Sequence, residues 1–153
     1  MITRSKDLFA SLEKNRVKYV VIGGVAAILH GVPRMTGDVD LLIEPSIENA
    51  ERVLQVLADL GYDTASLVDP SGLVQVKYLI FENGIKIDIM LDIPGLDFET
   101  AWANKVEMFA GEQSFWVVSK ADLIDAKRAA GRERDLNDVE ALTNTNDSNP
   151  VPQ

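Results

Sequence analysis

The sequence contains no cysteine and a single histidine, His30. Without cysteine, disulfide frameworks, thiolate zinc sites and cysteine nucleophiles are all excluded. A metal ion bound by this chain is therefore expected to have oxygen ligands. His30 follows two glycines in a short apolar segment, and we interpret it as a packing or capping residue rather than a catalyst.

Long apolar runs are also lacking, since none approaches the ~20 residues that a membrane-spanning helix requires. The N-terminal segment MITRSKDLFASLEKNR is charged and amphipathic, which is not the pattern of a secretory signal. We therefore expect a cytoplasmic protein without a membrane partner.

Basic side chains are outnumbered, with 15 Lys and Arg against 24 Asp and Glu and a formal net charge of -9. Sequence-independent binding to duplex DNA depends on neutralising many phosphates with Lys and Arg, so this charge argues against duplex DNA as a partner. The charge is compatible with a nucleotide in a small, locally basic pocket. We interpret the acidity as a solubility feature, with a basic partner protein as the alternative.

The order of apolar and turn residues predicts one α+β domain over residues 1–143, with a mixed sheet flanked by helices. Helices are expected at 5–15, 25–29, 46–61, 98–104, 119–131 and 135–143, with Ser46 and Ser119 as N-caps. Strands are expected at 17–22, 38–44, 73–81 and 85–91, followed by a hairpin around Ala110 and Gly111. The polar segment 144–153 is predicted to be a disordered tail.

Two aspartates lie one residue apart in the predicted strand DVDLLIE. Side chains alternate between the faces of a strand, so Asp38 and Asp40 share one face while Val39 and Leu41 point toward the core. Two neighbouring carboxylates repel each other unless a cation bridges them. Magnesium is the natural cation, because it is commonly held by one or two carboxylates together with substrate phosphates.

A third carboxylate, Asp88, lies on another predicted strand, IKIDIML. It faces away from the apolar set of that strand, as Lys86 does, and it is the best candidate to complete a site for two magnesium ions. Asp92 is in phase with Asp88 but lies next to Pro94 at the strand end, and it ranks second. A lone D-x-D is more often a solvated strand edge, so an unrelated α+β domain is the competing interpretation.

The glycine pair Gly23 and Gly24 ends the strand VKYVVI and strengthens the case for a site. Glycines at a strand exit let backbone N–H groups come close to phosphate oxygens. Taken by itself, such a pair is also common in ordinary tight turns. Its combination with Asp38, Asp40 and Asp88 predicts phosphoryl or nucleotidyl transfer.

These residues resemble the signature of the polymerase β-like nucleotidyltransferase superfamily, particularly its small bacterial stand-alone members. The resemblance covers about residues 17 to 142 and implies that Asp38, Asp40 and Asp88 are catalytic and bind the metal. Where that superfamily more often has Gly-Ser, this chain has Gly23 and Gly24, so one hydroxyl contact to phosphate is missing. Arg34 and Thr36, just before the aspartate pair, also look family-like and imply nucleotide contacts.

The segment Asp122 to Leu142 resembles the Lys motif and the Arg-Asp-x-x-Asp motif of nucleotidyltransferases from abortive-infection toxin-antitoxin systems. By this resemblance Lys127 would contact the nucleotide phosphates. Arg134, Asp135 and Asp138 would build or line the site. The alternative for this segment alone is a solvated, charge-paired helix end. Trp102 and Trp116 are interpreted as core residues rather than base-stacking residues.

The resemblance implies a magnesium-dependent nucleotidyltransferase that moves a nucleoside monophosphate from a nucleoside triphosphate to an acceptor hydroxyl, with ATP as the expected donor. The acceptor stays open between RNA, protein and a small molecule, as does a place in a toxin-antitoxin pair with a partner protein. The alternative is a weakly active or inactive nucleotide-binding module of the same fold that acts through a protein partner.

Overall fold

The computed structural model describes residues 5–145, which form a six-stranded mixed sheet and seven α-helices. In chain order the elements are α1 Lys6–Lys14, β1 Tyr19–Ile22, α2 Gly23–Leu29, β2 Asp38–Ile43, α3 Ile47–Asp59, a 3-10 helix Asp63–Leu67, α4 Pro70–Val76, β3 Tyr78–Asn83, β4 Ile85–Met90, α5 Phe98–Asn104, β5 Val106–Ala110, β6 Gln113–Val117, α6 Lys120–Ala130 and α7 Glu133–Asn144. The predicted α+β class with a mixed sheet flanked by helices is confirmed.

The strands are ordered β3-β4-β2-β1-β6-β5 across the sheet. The β2–β4 and β1–β6 pairs are parallel, and the other three pairs are antiparallel. The two strands that carry the aspartates are therefore hydrogen-bonded neighbours. This pairing depends on the crossover between β2 and β4, which residue patterns within each strand do not specify.

The core is built from the central strands and the apolar faces of the helices. Val39, Leu41 and Ile43 on β2 are 0 to 1% exposed, as the alternation of that strand predicts. Asp38 and Asp40 are only partly buried, so they reach the solvent-accessible side. The α2 helix packs against β1, β2 and α6, which brings the glycine turn and α6 to the same side of the sheet.

Two predicted helix caps are present. The Ser46 side chain accepts a hydrogen bond from the Asn49 backbone N–H at 3.1 Å, and Ser119 accepts one from the Asp122 N–H at 3.2 Å. The Asp122 carboxylate does not complete a capping box with Ser119, because its Oδ2 accepts a hydrogen bond from Asn104 instead.

The prediction of a strand from residue 73 is wrong, because residues 70–76 form helix α4 and the strand begins at Tyr78. Pro70 at the first helical position suits a helix start. Leu73 is fully buried, and α4 packs against α3. Valines at 74 and 76 favour a strand locally, but tertiary packing overrides that weak preference.

The end of α7 at Asn144 lies one residue beyond the predicted domain boundary at 143. Residues 146–153 of the predicted disordered tail lie outside the described residues, so the disorder of that tail stays a prediction. Between residues 5 and 145, no helix has the length and apolarity to cross a membrane.

Candidate active site

Asp40 and Asp88 are direct cross-strand partners in the parallel β2–β4 pair. The same register places Asp38 beside Lys86. Cross-strand neighbours on one face lie about 5 Å apart at Cβ, so the sheet itself holds these four side chains in one group. The three carboxylates predicted from separate strands are thus brought to one edge of one pocket.

A lysine ammonium lies between two of these carboxylates. Lys86 Nζ is 3.4 Å from Asp38 Oδ2 and 3.9 Å from Asp88 Oδ1. The hydrogen bond with Asp38, followed by the charge of Asp88, raises the pKa of Lys86 above its usual value. Lys86 therefore offsets part of the negative charge that the aspartates concentrate here.

The Asp40 carboxyl has a strongly shifted pKa. This pKa is raised from 3.8 to about 7, mainly by burial and then by the charge of Asp88, a hydrogen bond shared with Asp88 and the charge of Asp38. Lys127 acts in the opposite direction. The Asp40 carboxylate is therefore disfavoured as an isolated anion, and a bound cation would favour its ionised form.

The hydroxyl of Tyr78, the first residue of β3, contacts Asp88. Tyr78 Oη donates a hydrogen bond to Asp88 Oδ2 at 3.2 Å. Partial burial and then the Asp88 charge raise the pKa of this hydroxyl, so it keeps its proton at neutral pH. The other oxygen, Asp88 Oδ1, is buried and receives no hydrogen bond.

Gly23 and Gly24 form the start of α2 and line the same pocket. Gly23 has a φ of +70°, and a Cβ there would collide with Asp40 Oδ2, so glycine is required on both counts. A Cβ on Gly24 would lie 2.8 Å from Arg34 Nη2 and 3.1 Å from Thr36 Oγ1. Arg34 and Thr36 therefore fill the space that a serine at 24 would need.

At one wall of the pocket, the side chains of α6 and α7 form a network of mostly buried charges. Lys127 Nζ lies 2.8 Å from Asp138 Oδ2 and 3.6 Å from Asp135 Oδ1. Arg34 reaches Asp138 at 3.1 Å, and Arg132 reaches Asp135 at 2.6 Å. Burial raises the pKa of Asp135, but the hydrogen bonds and charge of Arg132, helped by Lys127, bring it below its ordinary value.

The pocket has a volume of about 610 Å³, within the usual range for small-molecule sites. Five basic and four acidic side chains line it, although the chain as a whole is strongly acidic. The basic residues are Arg34, Lys86, Lys127, Arg132 and Arg134. A locally basic pocket of this kind suits a phosphate-bearing ligand.

The carboxylate oxygens of this pocket are ligands of the kind that a divalent cation such as magnesium prefers. Asp40 and Asp88 face each other, and the buried Asp88 Oδ1 has no donor. Within residues 5–145, no group of three or more acidic or histidine side chains is placed to hold a metal ion by itself. Magnesium commonly takes only one or two carboxylates and obtains further ligands from water and substrate phosphates, so an open arrangement is suitable for it.

Most residues singled out from the sequence lie together. Ten of them line the pocket, namely Gly23, Gly24, Arg34, Thr36, Asp38, Asp40, Asp88, Lys127, Arg134 and Asp135. Asp138 lies behind the wall, where it contacts Lys127 and Arg34. Asp92 is exposed and is not part of the lining.

The remaining sequence candidates have structural contacts elsewhere. A ring nitrogen of His30 is 2.8 Å from the Val118 carbonyl oxygen, in keeping with a packing role. Trp102 packs against Phe98 and Trp116, and neither tryptophan lines the pocket.

Three pocket residues with direct carboxylate contacts, Lys86, Tyr78 and Arg132, were not assigned to the site from the sequence. Lys86 carried a signal, since it is in phase with Asp88 on β4. Tyr78 carried none, because its contact depends on the register that places Tyr78 opposite Met90 across the β3–β4 hairpin.

A family profile described as a nucleotidyltransferase of unknown function, DUF6036, matches residues 4–149. The chain belongs to this family. No curated protein matches the chain by sequence. The polymerase β-like nucleotidyltransferase superfamily inferred from Gly23, Asp38, Asp40 and Asp88 is confirmed at the level of family and fold.

Solved structures share the fold of this family member at low sequence identity. TM1012 from Thermotoga maritima, assigned as a nucleotidyltransferase, has a TM-score of 0.56 and 18% identity, covering 89% of this chain and 88% of that one. The lincosamide antibiotic adenylyltransferase LnuA, bound to lincomycin, has a TM-score of 0.57 and 20% identity, covering 91% and 96%. An antigenic nucleotidyltransferase-like protein from Paracoccidioides brasiliensis has a TM-score of 0.57 and 15% identity, covering 92% of this chain and 74% of that one.

Restoring the serine that is usual in the superfamily is expected to destabilise this chain. Gly24→Ser places Cβ against Arg34 and Thr36, so the end of the Arg34 side chain, which contacts Asp138, must shift, at a cost of about 1 kcal/mol. Urea unfolding of both proteins measures the change. Gly37→Ser is the matched control, because a Cβ at Gly37 meets nothing within 4 Å. Equal stability of Gly24→Ser and the wild type would contradict the expectation.

Proposed function

We propose that this nucleotidyltransferase-family protein is a magnesium-dependent enzyme that transfers a nucleoside monophosphate from a nucleoside triphosphate to an acceptor hydroxyl. ATP is the expected donor and pyrophosphate the leaving group. The observation that carries the proposal is the register of β2 and β4, which places Asp40 beside Asp88 in a locally basic pocket. The proposal also places the protein in the cytoplasm.

Asp38, Asp40 and Asp88 would hold magnesium in this scheme. Bound magnesium would supply Lewis-acid stabilisation of charge on the reacting phosphate. Asp88 has a second role, because a carboxylate within hydrogen-bond reach of an acceptor hydroxyl takes its proton during attack. Lys86, which contacts both Asp38 and Asp88, is free to turn toward a phosphate once those carboxylates are neutralised.

The phosphates would bind against the glycine turn. Gly23 and Gly24 let the backbone come close to an anion because neither carries a Cβ. The Thr36 hydroxyl lies 3.1 Å from the place of a Cβ at residue 24, and it would replace the hydroxyl that the superfamily serine supplies. Arg34 would contribute charge, while Asp138 holds its guanidinium in place.

The opposite wall of the pocket would complete phosphate binding. Lys127 is buried, and its ammonium is oriented by Asp135 and Asp138. Arg132 and Arg134 add positive charge to the same wall. A nucleotide bound between Gly23 and this wall would be screened from water on two sides, which strengthens its charge interactions.

One observation favours a second candidate, a nucleotide-binding module with little or no transfer activity. Lys86 already places a positive charge between Asp38 and Asp88, so the carboxylates are partly neutralised without a metal. Such a module would bind nucleotide equally well with and without magnesium and would act through a protein partner.

Calorimetric titration with each of the four nucleoside triphosphates, with and without magnesium, tests the proposal. We expect magnesium to tighten binding at least about tenfold, since a charge-neutralising cation contributes more than ~1.4 kcal/mol. Asp38→Asn is expected to lose this magnesium effect. The control is Asp92→Asn, because Asp92 is exposed and outside the pocket. Equal binding with and without magnesium in the wild type would favour the inactive module.

The acceptor requires a separate assay. Radiolabelled nucleoside triphosphate would be incubated with the protein plus total RNA, cell-extract proteins or small-molecule alcohols, because LnuA of the same fold is seen with lincomycin bound. A labelled product that depends on Asp38 identifies the acceptor class. The resemblance of residues 122–142 to toxin-antitoxin nucleotidyltransferases makes a partner protein the first protein acceptor to test. A complete lack of product with every acceptor would count against transfer activity.

A further inference from the structure

Tyr78 occupies an unusual position for a tyrosine of this chain. Its side chain is 45% exposed at the start of the edge strand β3, yet its hydroxyl turns inward to Asp88 Oδ2. Tyr19 and Tyr62 are instead buried, and Tyr62 donates its hydroxyl to the Ile85 carbonyl. Packing explains Tyr19 and Tyr62, whereas the main polar contact of Tyr78 is with the candidate active site.

The Tyr78 hydroxyl lies where an acceptor hydroxyl would be expected. Of the two hydroxyl side chains that line the pocket, Thr36 contacts the glycine turn and Tyr78 contacts Asp88. The 3.2 Å distance from Tyr78 Oη to Asp88 Oδ2 is within the reach of a general base. In the register of the sheet, Asp88 is directly beside Asp40.

We propose that Tyr78 is an internal acceptor, so that the protein attaches a nucleoside monophosphate to its own Tyr78 hydroxyl. This inference rests on the proposed function and names one acceptor for it. Tyr78 Oη forms a bond to the α-phosphorus of the nucleoside triphosphate, the bond from the α-phosphorus to the bridging oxygen breaks, and pyrophosphate leaves. The phenolic proton passes to the Asp88 carboxylate and then to water.

Self-modification would limit itself. A nucleotidylated Tyr78 no longer has a hydroxyl proton to donate to Asp88, and the attached nucleotide stays at the mouth of the pocket. One nucleoside monophosphate per chain is therefore the expected end point. The modified protein is also expected to bind fresh nucleoside triphosphate more weakly than the unmodified protein.

The experiment is incubation of the full-length protein with each nucleoside triphosphate and magnesium, followed by intact-mass and peptide mass spectrometry. We expect a gain of one nucleoside monophosphate on Tyr78, at a rate per chain that does not depend on protein concentration. Tyr78→Phe is expected to lose the adduct. Tyr62→Phe, which removes a hydroxyl outside the pocket, is expected to keep it.

Where nucleotide binds, three results with the wild type or Tyr78→Phe would overturn the inference. They are magnesium-dependent nucleotide binding without an adduct on Tyr78, an adduct that persists in Tyr78→Phe, or an adduct rate proportional to protein concentration. The first of these leaves the proposed function intact, because binding and transfer to other acceptors are measured independently. If no nucleoside triphosphate binds in the presence of magnesium, the proposed function and this inference fail together. An adduct that also forms in Asp40→Asn would show that the protein does not catalyse it.

Discussion

Asp40→Asn is expected to abolish nucleotidyl transfer and, in the metal-free protein, to increase stability at pH 8. The loss of activity follows from removal of a proposed magnesium ligand. Lewis-acid stabilisation is worth several kcal/mol, and each ~1.4 kcal/mol is a factor of ten in rate, so the loss is at least about 100-fold. The gain in stability follows from the removal of a partly buried carboxylate that faces Asp88.

The sign of the pH dependence follows from the raised pKa of Asp40. Its ordinary value is 3.8 and its value in the folded protein is about 7. Between these two pH values the unfolded chain has released the proton while the folded protein retains it, so the stability of the wild type falls as pH rises and then levels off above about pH 7. From pH 5 to pH 8 this loss is about 2 to 3 kcal/mol, and Asn, which resembles the protonated carboxyl, avoids it.

Urea unfolding of the metal-free proteins at pH 5 and pH 8 measures the effect. The free energy of unfolding of Asp40→Asn, taken relative to that of the wild type, should increase as pH rises. Magnesium at pH 8 should stabilise the wild type and leave the variant unchanged, since only a ligand that binds the folded state stabilises it. The control is Asp92→Asn, where the carboxylate is exposed. An Asp40→Asn protein with the same pH dependence as the wild type would contradict the expectation.

Lys127→Met is expected to lower the free energy of unfolding by about 2 to 3 kcal/mol, which is less than the ~3 to 5 kcal/mol for a buried charge left with no partner. Lys127 is 6% exposed, and its ammonium contacts Asp135 and Asp138, which are also buried. Methionine has a similar length and no charge, so the loss comes mainly from leaving two buried carboxylates with too few cations. Arg34 and Arg132 remain as their partners and keep the loss below that of fully unpaired charges.

Three variants separate the charge effect from a packing effect. Arg128→Met, which changes an exposed residue on the same helix, should alter stability by less than about 0.5 kcal/mol. The double variant with Lys127→Met and Asp138→Asn should recover part of the lost stability, because it removes one unpaired carboxylate. Asp138→Asn alone should weaken nucleotide binding through Lys127 and Arg34 without removing a pocket-lining residue. If the double variant is less stable than Lys127→Met, the loss does not come from unpaired charge.

The local elements were largely readable from the sequence. Alternation on β2 separates Asp38 and Asp40 from buried Val39 and Leu41, and the structure has the same separation. The helix that begins after Ser46 was readable because its cap and apolar stripe agree. The prediction of a strand at residues 73–76 is wrong because the valines there favour a strand, whereas Pro70 and the burial of Leu73 favour the helix that forms.

The sequence predicted the candidate site only where its residues stand out within a single segment. The glycine pair, the aspartate pair and Asp88 each stand out by residue type and alternation. The contacts of Tyr78 and Lys86 were not readable, because each depends on which residue of a neighbouring strand lies opposite. Asp138 is predicted to build or line the site, and in the structure it contacts Lys127 and Arg34 without lining the pocket itself.

The sequence by itself determined the kind of protein this is: a cysteine-free α+β domain with three candidate metal-binding carboxylates and a glycine turn suited to phosphate. These features depend on residue type and on the two-residue and 3.6-residue periods of strands and helices. Only the tertiary structure decided that Asp40 and Asp88 are neighbours, that Lys86 lies among the carboxylates and that the Tyr78 hydroxyl meets Asp88. These contacts join residues from separate strands, and the order and register of a sheet come from how the whole chain buries its apolar surface.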